Sequence, residues 1–306
     1  MDLINKKGLA PMADYSDYIF RKICVDHGAE FTITEMISSD AIIKNIKPTF
    51  KLLPHEDEKN IGIQLFGNSP SVMSDAAKIV ENYGDWIDIN AGCPVKKVVK
   101  RGAGSALLKD LDNLSNIIFS IKKKVSIPVG VKVRIGYDSF ILDEIQKKVE
   151  DAGADYLIIH GRTREEFYKG IARRDFFPNI KEKSKILIGG SGDIFEKEDI
   201  DYYLNEIKTD FIIIARGAIG NPWIFENKIP NIHEKFELCL KHLDSLILDS
   251  KNEKNGVDRF KKFLVGYTKG IKGSKELRSN LSKLSSFKEV KSHLNDILTI
   301  NELHNL

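Results

Sequence analysis

Short hydrophobic runs alternate with amphipathic segments along the first two thirds of the chain. Each run is rich in branched or other apolar residues and is followed by turn residues and then by a pattern of helical periodicity. Most runs are continuously apolar, which is typical of strands buried on both faces of a parallel sheet. The eight runs predicted as strands are Gly8–Met12, Phe31–Met36, Ile61–Phe66, Trp86–Asn90, Val129–Arg134, Tyr156–His160, Ile186–Gly189 and Phe211–Ala215.

The segments between these runs have the periodicity of amphipathic helices. Eight strand–helix units within about 225 residues match the count and the length of a (β/α)8 TIM barrel. A doubly wound sheet would more naturally carry a glycine-rich dinucleotide fingerprint after its first strand. The segment Ala10-Pro11-Met12-Ala13-Asp14 is not such a fingerprint, so the pattern favours an α/β chain folded as a barrel. Predicted helices include Ser69–Tyr83, Asp110–Lys124, Ser139–Ala152 and Phe195–Glu206.

The strand signals stop after Asn221-Pro222-Trp223-Ile224-Phe225 and the break at Pro230. Apolar stripes at helical spacing follow, and Asn255-Gly256 is expected to separate the first two helices. The sequence therefore predicts two domains, a TIM barrel over residues 1–229 and a small all-helical C-terminal domain over residues 230–306.

The bulk composition is that of a soluble globular protein. Of the 306 residues, 42% are apolar and 30% are charged. No apolar run approaches the ~20 residues that span a bilayer, and the N-terminus lacks the apolar stretch of a secretion signal. We therefore expect a cytoplasmic monomer with no membrane partner and no stable protein partner. Three distant cysteines, Cys24, Cys93 and Cys239, argue against a disulfide framework.

The distribution of charge is more informative than the net value of +3. Residues 233–306 carry 14 Lys and Arg against 10 Asp and Glu, a surplus of 4. Two interior stretches, 89–109 and 113–137, lack acidic residues altogether. A solvated surface explains any single lysine equally well, but basic stretches that meet at one mouth would favour an anionic partner.

Polar residues stand at the end of one predicted strand after another. The C-terminal ends of the strands build the active sites of TIM barrels, so these residues are candidates for a ligand site. A single histidine or glutamine could be a satisfied polar group of the core, whereas six or seven together favour a ligand cradle. The candidates are Pro11, Met12, Ala13, Glu35, Gln64, Asn90, Cys93, Lys132, Arg134, His160 and Arg162.

The last two predicted strands end in Gly189-Gly190-Ser191-Gly192-Asp193 and Ala215-Arg216-Gly217. This is the usual phosphate site of the architecture, where glycines let backbone N–H groups come close and an arginine adds a charged fork. Two ordinary glycine turns are the alternative. The pairing of both segments favours a phosphate-bearing cofactor, and Lys132 would lie deeper, under a ring, where a cation stabilises the negative charge of a reduced flavin.

Cys93 lies between Gly92 and Pro94 at a predicted strand end, outside any helical apolar pattern. It has no CxxC partner, and no Cys/His cluster has zinc spacing, so we expect no metal site. A Cys–His nucleophile would need His160, the only strand-end histidine. An unactivated thiol has a pKa of about 8.5, keeps its proton at neutral pH and can act as a general acid. A purely structural thiol is the alternative.

The order and spacing of these motifs resemble the tRNA-dihydrouridine synthase family over nearly the whole chain. The strongest signature is Asn90-Ala91-Gly92-Cys93-Pro94, followed by Gly102-Ala103-Gly104 and Ala106-Leu107-Leu108. The C-terminal segment resembles the helical domain of that family through Arg259-Phe260-Lys261-Lys262-Phe263. Supporting motifs are Ala10-Pro11-Met12-Ala13, Gln64-Leu65-Phe66-Gly67, Lys132-Val133-Arg134, His160-Gly161-Arg162-Thr163, Gly192-Asp193-Ile194 and Ala215-Arg216-Gly217.

The resemblance implies a barrel that holds FMN and a helical domain that helps to bind tRNA. It implies that Cys93 protonates C5 of a uracil ring while hydride from the reduced flavin reaches C6, and that Asn90 positions that uracil. NADPH would reload the flavin as a transient visitor. By the same resemblance, Pro11, Met12 and Ala13 back the flavin ring, Gln64, Lys132 and His160 bond to its polar edge, and Ser191, Gly192, Asp193, Ala215 and Arg216 bind its phosphate.

A basic rim would then hold the RNA. A uridine in folded tRNA has to leave its stack to lie on a flavin, which costs a few kcal/mol that salt-sensitive backbone contacts offset. Lys97 and Arg101 follow the cysteine, and with Asn90, Arg134 and Arg162 they form the predicted substrate-binding set. Further basic residues expected to contribute are Lys96, Lys100, Arg259, Lys261, Lys262 and Lys269.

Two positions depart from the family pattern. Ser191 stands where the family often has asparagine, and Asp14 follows Pro-Met-Ala where glycine is common. Two other functions remain open at this point. A small-molecule FMN barrel reductase of the dihydroorotate dehydrogenase or old yellow enzyme type would need neither the helical domain nor the basic rim. A non-catalytic RNA-binding protein on a barrel scaffold would lack the flavin.

Overall fold

The computed structural model describes residues 2–302, so Met1 and residues 303–306, which the predicted domains include, lie outside it. The chain divides into two compact units. The first comprises the chain up to Arg21 and Ala29–Gly217, and the second comprises Lys22–Gly28 and the chain from Ala218 onward. The predicted roles of residues 1–229 and 230–306 as cofactor and tRNA domains stay predictions.

The first unit contains a closed barrel of parallel strands. Its strands are β1 (Lys7–Leu9), β2 (Phe31–Ile33), β3 (Ile37–Ser38), β4 (Ile61–Phe66), β5 (Trp86–Ala91), β6 (Val129–Arg134), β7 (Tyr156–His160), β8 (Leu187–Ser191) and β9 (Phe211–Ile214). The strands neighbour one another in the order β2-β1-β9-β8-β7-β6-β5-β4, and the pairing of β2 with β4 closes the ring. The prediction of a (β/α)8 barrel is confirmed. The two-residue strand β3 pairs in parallel with the C-terminal end of β4.

The predicted strand Phe31–Met36 is interrupted between β2 and β3. Across this gap the chain advances four residues while its partner β4 advances three, which is the one-residue excess of a β-bulge. Glu35 lies in the bulge, and its Oε2 accepts the N–H of Asp14 at 2.5 Å. Asp14 has φ +66, a backbone region that favours glycine, so the aspartate is held there against its own preference.

Four aromatic rings fill the N-terminal part of the barrel, each beside a glycine of the neighbouring strand. The pairs in register are Gly8 with Phe31, Gly62 with Trp86, Gly130 with Tyr156, and Gly189 with Phe211. A Cβ on these glycines would lie 2.0 to 2.5 Å from the partner ring, so no larger residue fits. Leu3 joins the same buried cluster. Alternate strands thus supply one layer of four large side chains, called here the aromatic layer.

Helices follow the strands as predicted, with shorter bounds at several ends. The predicted helix Phe195–Glu206 consists of a short α-helix and a π-turn, Tyr202–Glu206. Within residues 2–302, no helix is long and apolar enough to cross a membrane. The helices up to the end of the barrel are α1 (Tyr18–Asp26), α2 (Ser39–Ile43), α3 (Lys47–Phe50), α4 (Pro70–Val80), α5 (Lys96–Val99), α6 (Leu111–Lys124), α7 (Leu142–Asp151), α8 (Phe177–Lys183) and α9 (Lys197–Asp201).

The described part of the second unit, up to Glu302, contains four further α-helices. They are α10 (Ile232–Ser250), α11 (Glu253–Tyr267), α12 (Ser274–Ser279) and α13 (Phe287–Glu302). The expected break at Asn255-Gly256 is wrong, because α10 ends at Ser250, its C-cap Lys251 has φ +51, and Asn252 caps the start of α11. Gly256 lies inside α11, where a Cβ would be 2.5 Å from the Cα of Ile247. This glycine therefore serves close packing of the two helices rather than a turn.

Candidate active site

The predicted strand-end residues converge at the C-terminal end of the barrel. Interior positions alternate along a strand, so residues two or four positions beyond the aromatic layer face the space above it. The register places Asn90 beside Lys132 on β5 and β6, and His160 beside Ser191 on β7 and β8. Gln64 on β4 completes this side of the site. Neighbouring strands thus bring residues separated by up to 127 positions to one side of the barrel mouth.

Asn90 and Ser105 hold the backbone of Cys93 from two sides. Asn90 Oδ1 accepts the N–H groups of Cys93 at 2.9 Å and of Gly92 at 3.2 Å. The carbonyl oxygen of Cys93 accepts the N–H of Ser105 at 3.0 Å and its hydroxyl at 2.8 Å. Gly104, with φ +61, passes so close that a Cβ would lie 2.9 Å from this carbonyl oxygen. The loop that carries the thiol is therefore fixed.

Cys93 differs from the other two cysteines in exposure. Cys24 and Cys239 are fully buried, and burial raises the pKa of both thiols. Cys93 is half-buried. Partial burial raises its pKa too, although a backbone N–H and the charges of Lys132 and Arg134 act in the opposite direction. The thiol of Cys93 therefore keeps its proton at neutral pH while it stays within reach of a ligand, which is what a general acid requires.

A chain of buried side chains leads from Asn90 into the barrel. Asn90 Nδ2 donates to Gln64 Oε1 at 2.8 Å, and Gln64 Nε2 donates to Asp88 Oδ2 at 2.6 Å. The other oxygen of Asp88 accepts the hydroxyl of Tyr156, from the aromatic layer, at 2.7 Å. Burial raises the pKa of Asp88 to about 6. Asp88 was not among the predicted site residues, although its spacing of two from Asn90 placed both on one face of a strand.

Two cations lie next to the thiol. Lys132 is half-buried, and its pKa is lowered to about 8 by burial and by Arg134, against the opposing charges of Asp88 and Cys93. Arg134 is only 3% exposed. Burial lowers its pKa to about 10, yet it remains charged at neutral pH.

Arg134 ties two loops together instead of reaching the solvent. Its Nε donates to the carbonyl oxygen of Gly92 at 2.9 Å, and its Nη1 donates to those of Thr163 and Phe167, both at 2.8 Å. The guanidinium therefore joins the loop of Cys93 to the loop after β7. A contact of Arg134 with RNA, as predicted, is not favoured by this burial.

Asp193 binds two arginines, Arg216 of the predicted phosphate site and Arg162 of the predicted substrate-binding set. Its carboxylate accepts from Arg162 at 2.5 and 3.0 Å, from Arg216 at 2.7 Å, and from the N–H of Ala172 at 2.8 Å. Burial alone would raise the pKa of Asp193, but the hydrogen bonds from Arg162 and Ala172 hold it below its usual value. Arg162 is 2% exposed and also donates to two backbone carbonyls, so its predicted contact with RNA is not favoured either.

His160 carries a buried nitrogen for which the described residues provide no hydrogen bond, Nδ1. Burial lowers its pKa well below the usual value, and the charges of Lys132 and Arg134 act in the same direction, so the ring is neutral. Gly192, with φ +121, lies beside this ring, and a Cβ there would be 3.2 Å from His160 Cδ2. The glycine thus leaves room beside the Cδ2–Nε2 edge of the ring, and the unpaired Nδ1 on the other edge is a buried polar atom that a polar ring cofactor would complete.

The loop after β1 contains the predicted ring-backing residues Pro11, Met12 and Ala13, all at least partly exposed. Ser16 fixes this loop, because its hydroxyl accepts the N–H of Met12 at 2.9 Å and donates to the carbonyl oxygen of Met12 at 3.2 Å. The hydrogen bond from Asp14 to Glu35 in the bulge adds a second restraint. The loop is thus preorganised on the side of the barrel opposite β6.

Tyr168, in the loop after β7, is a site residue that the sequence did not single out. Its ring is 52% exposed and lies 4.9 Å from the guanidinium carbon of Arg216, 5.5 Å from that of Arg134 and 6.5 Å from the ring of His160. The sequence of that loop predicts neither a helix nor a strand, so the direction of the Tyr168 side chain could not be inferred. Only its position five residues after the strand-end segment His160–Thr163 could have drawn attention to it.

The predicted basic rim is partly exposed and partly not. Lys97 and Arg101, on α5 and just after it, are both exposed, as are Lys96 and Lys100.

Among residues 2–302, no group of three or more His, Cys, Asp or Glu side chains is arranged to hold a metal ion.

A family model described as dihydrouridine synthase (Dus) matches residues 8–302. The chain belongs to the dihydrouridine synthase family. The resemblance seen in the motifs is thereby confirmed. A tRNA-dihydrouridine synthase B of Pasteurella multocida is 36% identical over 94% of this chain and 91% of its own length. One of Vibrio vulnificus is 40% identical over 80% of this chain and 79% of its own. A probable tRNA-dihydrouridine synthase of Rickettsia prowazekii is 35% identical over 90% and 88%.

Similar solved structures support the fold of this family member. Histamine dehydrogenase from Rhizobium sp. 4-9 matches with a TM-score of 0.53 and 15% identity over 86% of this chain. A 2-naphthoyl-CoA reductase matches with a TM-score of 0.56 and 12% identity over 72% of it. The chain spans about half of each of these longer proteins, 49% in both cases. At such low identity the likeness shows the barrel fold alone.

Proposed function

We propose that this dihydrouridine synthase reduces the C5=C6 bond of specific uridines in tRNA to 5,6-dihydrouridine, with FMN as its flavin and NAD(P)H as the electron source. The observation that carries the proposal is the fixed, half-buried thiol of Cys93 beside Lys132 and Arg134 at the mouth of the barrel. The names of the relatives, the family membership and the exposed Lys97 and Arg101 support it.

The residues around the barrel mouth fit an FMN group. His160 offers an unpaired nitrogen, Gln64 and Lys132 offer polar groups, and Asp193 holds Arg216 at the predicted phosphate site. When bound, the flavin would supply hydride for C6 of the uracil. The full proposed cofactor set is Pro11, Met12, Ala13, Gln64, Lys132, His160, Ser191, Gly192, Asp193, Ala215 and Arg216.

Cys93 supplies the proton in this proposal. Addition of hydride to C6 leaves negative charge on the C4 carbonyl side of the uracil, and protonation at C5 completes the reduction. The Sγ–H of Cys93 gives that proton, and the positive charges of Lys132 and Arg134 stabilise the thiolate that remains. Asn90 serves twice, because it holds the Cys93 loop and offers its amide to the base. Solvent then reprotonates the thiolate.

The RNA contacts follow from exposure. Lys97 and Arg101, with Lys96 and Lys100, would bind phosphates next to the extruded uridine. Arg134 and Arg162 stay in the proposed site as buried supports of loops rather than as RNA contacts. Basic residues of α11, among them Lys261, would add to the grip on tRNA.

A comparison of tRNA from cells with and without this protein tests the proposal. Dihydrouridine mapped by reductive or alkaline chemistry should be absent at one or more positions in the deletion strain and return with the wild-type chain, but not with Cys93→Ala. Purified protein should show a flavin absorbance band. A protein that reduces free uridine or orotate and leaves tRNA unchanged would instead be a small-molecule reductase. A colourless protein that binds tRNA would be the non-catalytic alternative.

A further inference from the structure

The hydrogen-bond chain between Tyr156 and the Cys93 loop has a fixed direction. At one end, the backbone N–H groups of Gly92 and Cys93 can only donate. At the other end, the ionised carboxylate of Asp88 can only accept. Between these ends lie two amide side chains, those of Asn90 and Gln64.

Amide oxygen and nitrogen atoms are usually assigned from their neighbours, and here the neighbours leave one choice. Asn90 must turn Oδ1 to the two N–H groups, at 2.9 and 3.2 Å, so its Nδ2 faces Gln64. Gln64 must therefore turn Oε1 to Asn90, at 2.8 Å, and Nε2 to Asp88, at 2.6 Å. The reversed arrangement would set Oε1 of Gln64 against a carboxylate oxygen and leave buried donors unpaired.

This direction determines what the amides can offer to a ligand. Asn90 Oδ1 accepts two hydrogen bonds and Gln64 Oε1 accepts one, whereas each amide nitrogen keeps one hydrogen beyond the one it donates along this series of hydrogen bonds. Within residues 2–302, the second hydrogen of Asn90 meets the sulfur of Met36 at 3.7 Å, which is a weak acceptor. A carbonyl oxygen would replace that contact with a stronger hydrogen bond.

We infer that Asp88 is a positioning residue that fixes the orientation of both amides, so that each nitrogen presents a hydrogen-bond donor to the site, suited to carbonyl oxygens of the base and of the flavin ring. This inference rests on the proposed function for the identity of the rings. Asp88 is 0% exposed and contacts no ligand itself. It acts through Gln64 on the wall and through Asn90 on the backbone of Cys93.

The test uses the full chain with Asp88→Asn and with Tyr156→Phe as the matched control. A neutral amide at position 88 can donate as well as accept, so it no longer dictates the orientation of Gln64. Tyr156→Phe removes the other hydrogen bond of Asp88 and leaves the bond to Gln64 in place. If Asp88 were only a partner for the tyrosine in the core, the two variants would behave alike.

Two measurements report on the two ends of this series of hydrogen bonds, the amide wall and the Cys93 loop. The Kd for FMN reports on the wall, and the rate of Cys93 alkylation by iodoacetamide in flavin-free protein reports on the loop, since Cys24 and Cys239 are buried. For Asp88→Asn we expect the Kd to rise and the alkylation to accelerate, each roughly tenfold, as for one lost hydrogen bond. Tyr156→Phe should change neither by more than about twofold. Equal effects of the two variants, or no effect of Asp88→Asn, would overturn the inference.

A double variant separates positioning from general damage. Asp88→Asn combined with Gln64→Glu exchanges donor and acceptor across one hydrogen bond, so the new carboxylate at position 64 accepts from positions 88 and 90. Asn90 then keeps its direction, and alkylation of Cys93 should return to the wild-type rate. Affinity for FMN should stay low, because the donor of Gln64 is gone. Fast alkylation in the double variant would contradict the inference.

The alkylation arm needs neither FMN nor tRNA. A wild-type chain that forms no dihydrouridine would therefore refute the proposed function without deciding the role of Asp88, which the thiol reactivity decides alone.

Discussion

Ser105 donates two hydrogen bonds to the carbonyl oxygen of Cys93, one from its N–H at 3.0 Å and one from its hydroxyl at 2.8 Å. All of these contacts involve the backbone of Cys93, and so does its hydrogen bond to Asn90. The position of the loop therefore does not depend on the thiol. Replacing the Cys93 side chain should change the chemistry of the site and leave its shape intact.

Cys93→Ala should keep the affinity for FMN and for tRNA and should lower the turnover number by about 10²- to 10⁴-fold, the usual contribution of a general acid. Single-turnover oxidation of the reduced flavin by tRNA measures the step directly. Cys93→Ser keeps a proton but is a much weaker acid, so it should lie near the alanine variant. Full turnover by Cys93→Ala would exclude the thiol as proton donor.

Deprotonation of Lys132 should weaken FMN binding at alkaline pH. Its pKa of about 8 lies below the ordinary value of 10.5, so the folded protein loses this charge as the pH rises through 8. Binding of an anionic flavin should weaken above that pH. The contribution of Lys132 to the free energy of unfolding should instead rise between about pH 8 and 10.5, because the unfolded chain binds more protons than the folded chain in this range. Titration of FMN fluorescence and urea unfolding at each pH measure the two opposite trends.

Lys132→Arg is the matched control for this pH dependence. A guanidinium stays protonated throughout, so the alkaline limit on FMN binding should disappear even if the affinity at neutral pH falls. An unchanged limit in this variant would assign the titration to another group.

Asp193→Asn should weaken both the fold and the phosphate site. It removes the partner of the buried Arg162, which should lower the free energy of unfolding by about 3–5 kcal/mol. It also releases Arg216, so the Kd for FMN should rise. Arg216→Gln should raise that Kd but change stability by less than about 1 kcal/mol, because Arg216 is exposed. Thermal unfolding and fluorescence titration distinguish the two variants, and equal stability losses would contradict this division of roles.

Lys97→Ala and Arg101→Ala should each weaken tRNA binding and reduce the slope of log K against log salt by about 0.7–0.9, as for one lost phosphate contact. Filter binding at several salt concentrations gives the slope. Lys147→Ala, on α7 and paired with Asp151, is the control and should leave the slope unchanged. Affinity for FMN should not respond to any of the three. Slopes identical to that of the control would remove α5 from the RNA contact surface.

The sequence predicted the barrel well because strand and helix signals are local. β4, β6 and β7 have the bounds that their apolar runs indicated, since buried parallel strands consist of such runs. Strand ends in a barrel share one rim, so Gln64, Asn90 and Lys132 could be placed together before any contact was known. Asp88 could have been added by the same period of two.

The burial of the arginines could not be read from local pattern. Arg162 is buried because Asp193 lies across from it 31 positions later in the chain, and Arg134 because three backbone carbonyls surround it. Such partners are set by how loops cross, which periodicity does not encode. The same holds for Gly256, where helix packing and not a turn required the glycine.

The aromatic layer gives the barrel a floor. Phe31, Trp86, Tyr156, Phe211 and Leu3 belong to one buried cluster, which fills the barrel interior on the side away from the rim that carries Cys93. Under the proposed function, a nicotinamide ring and a uracil ring that stack on a flavin above this cluster would both approach from that rim. If they use the same flavin face, the two half-reactions would exclude each other in time, and a uridine would bind only after the reductant has departed.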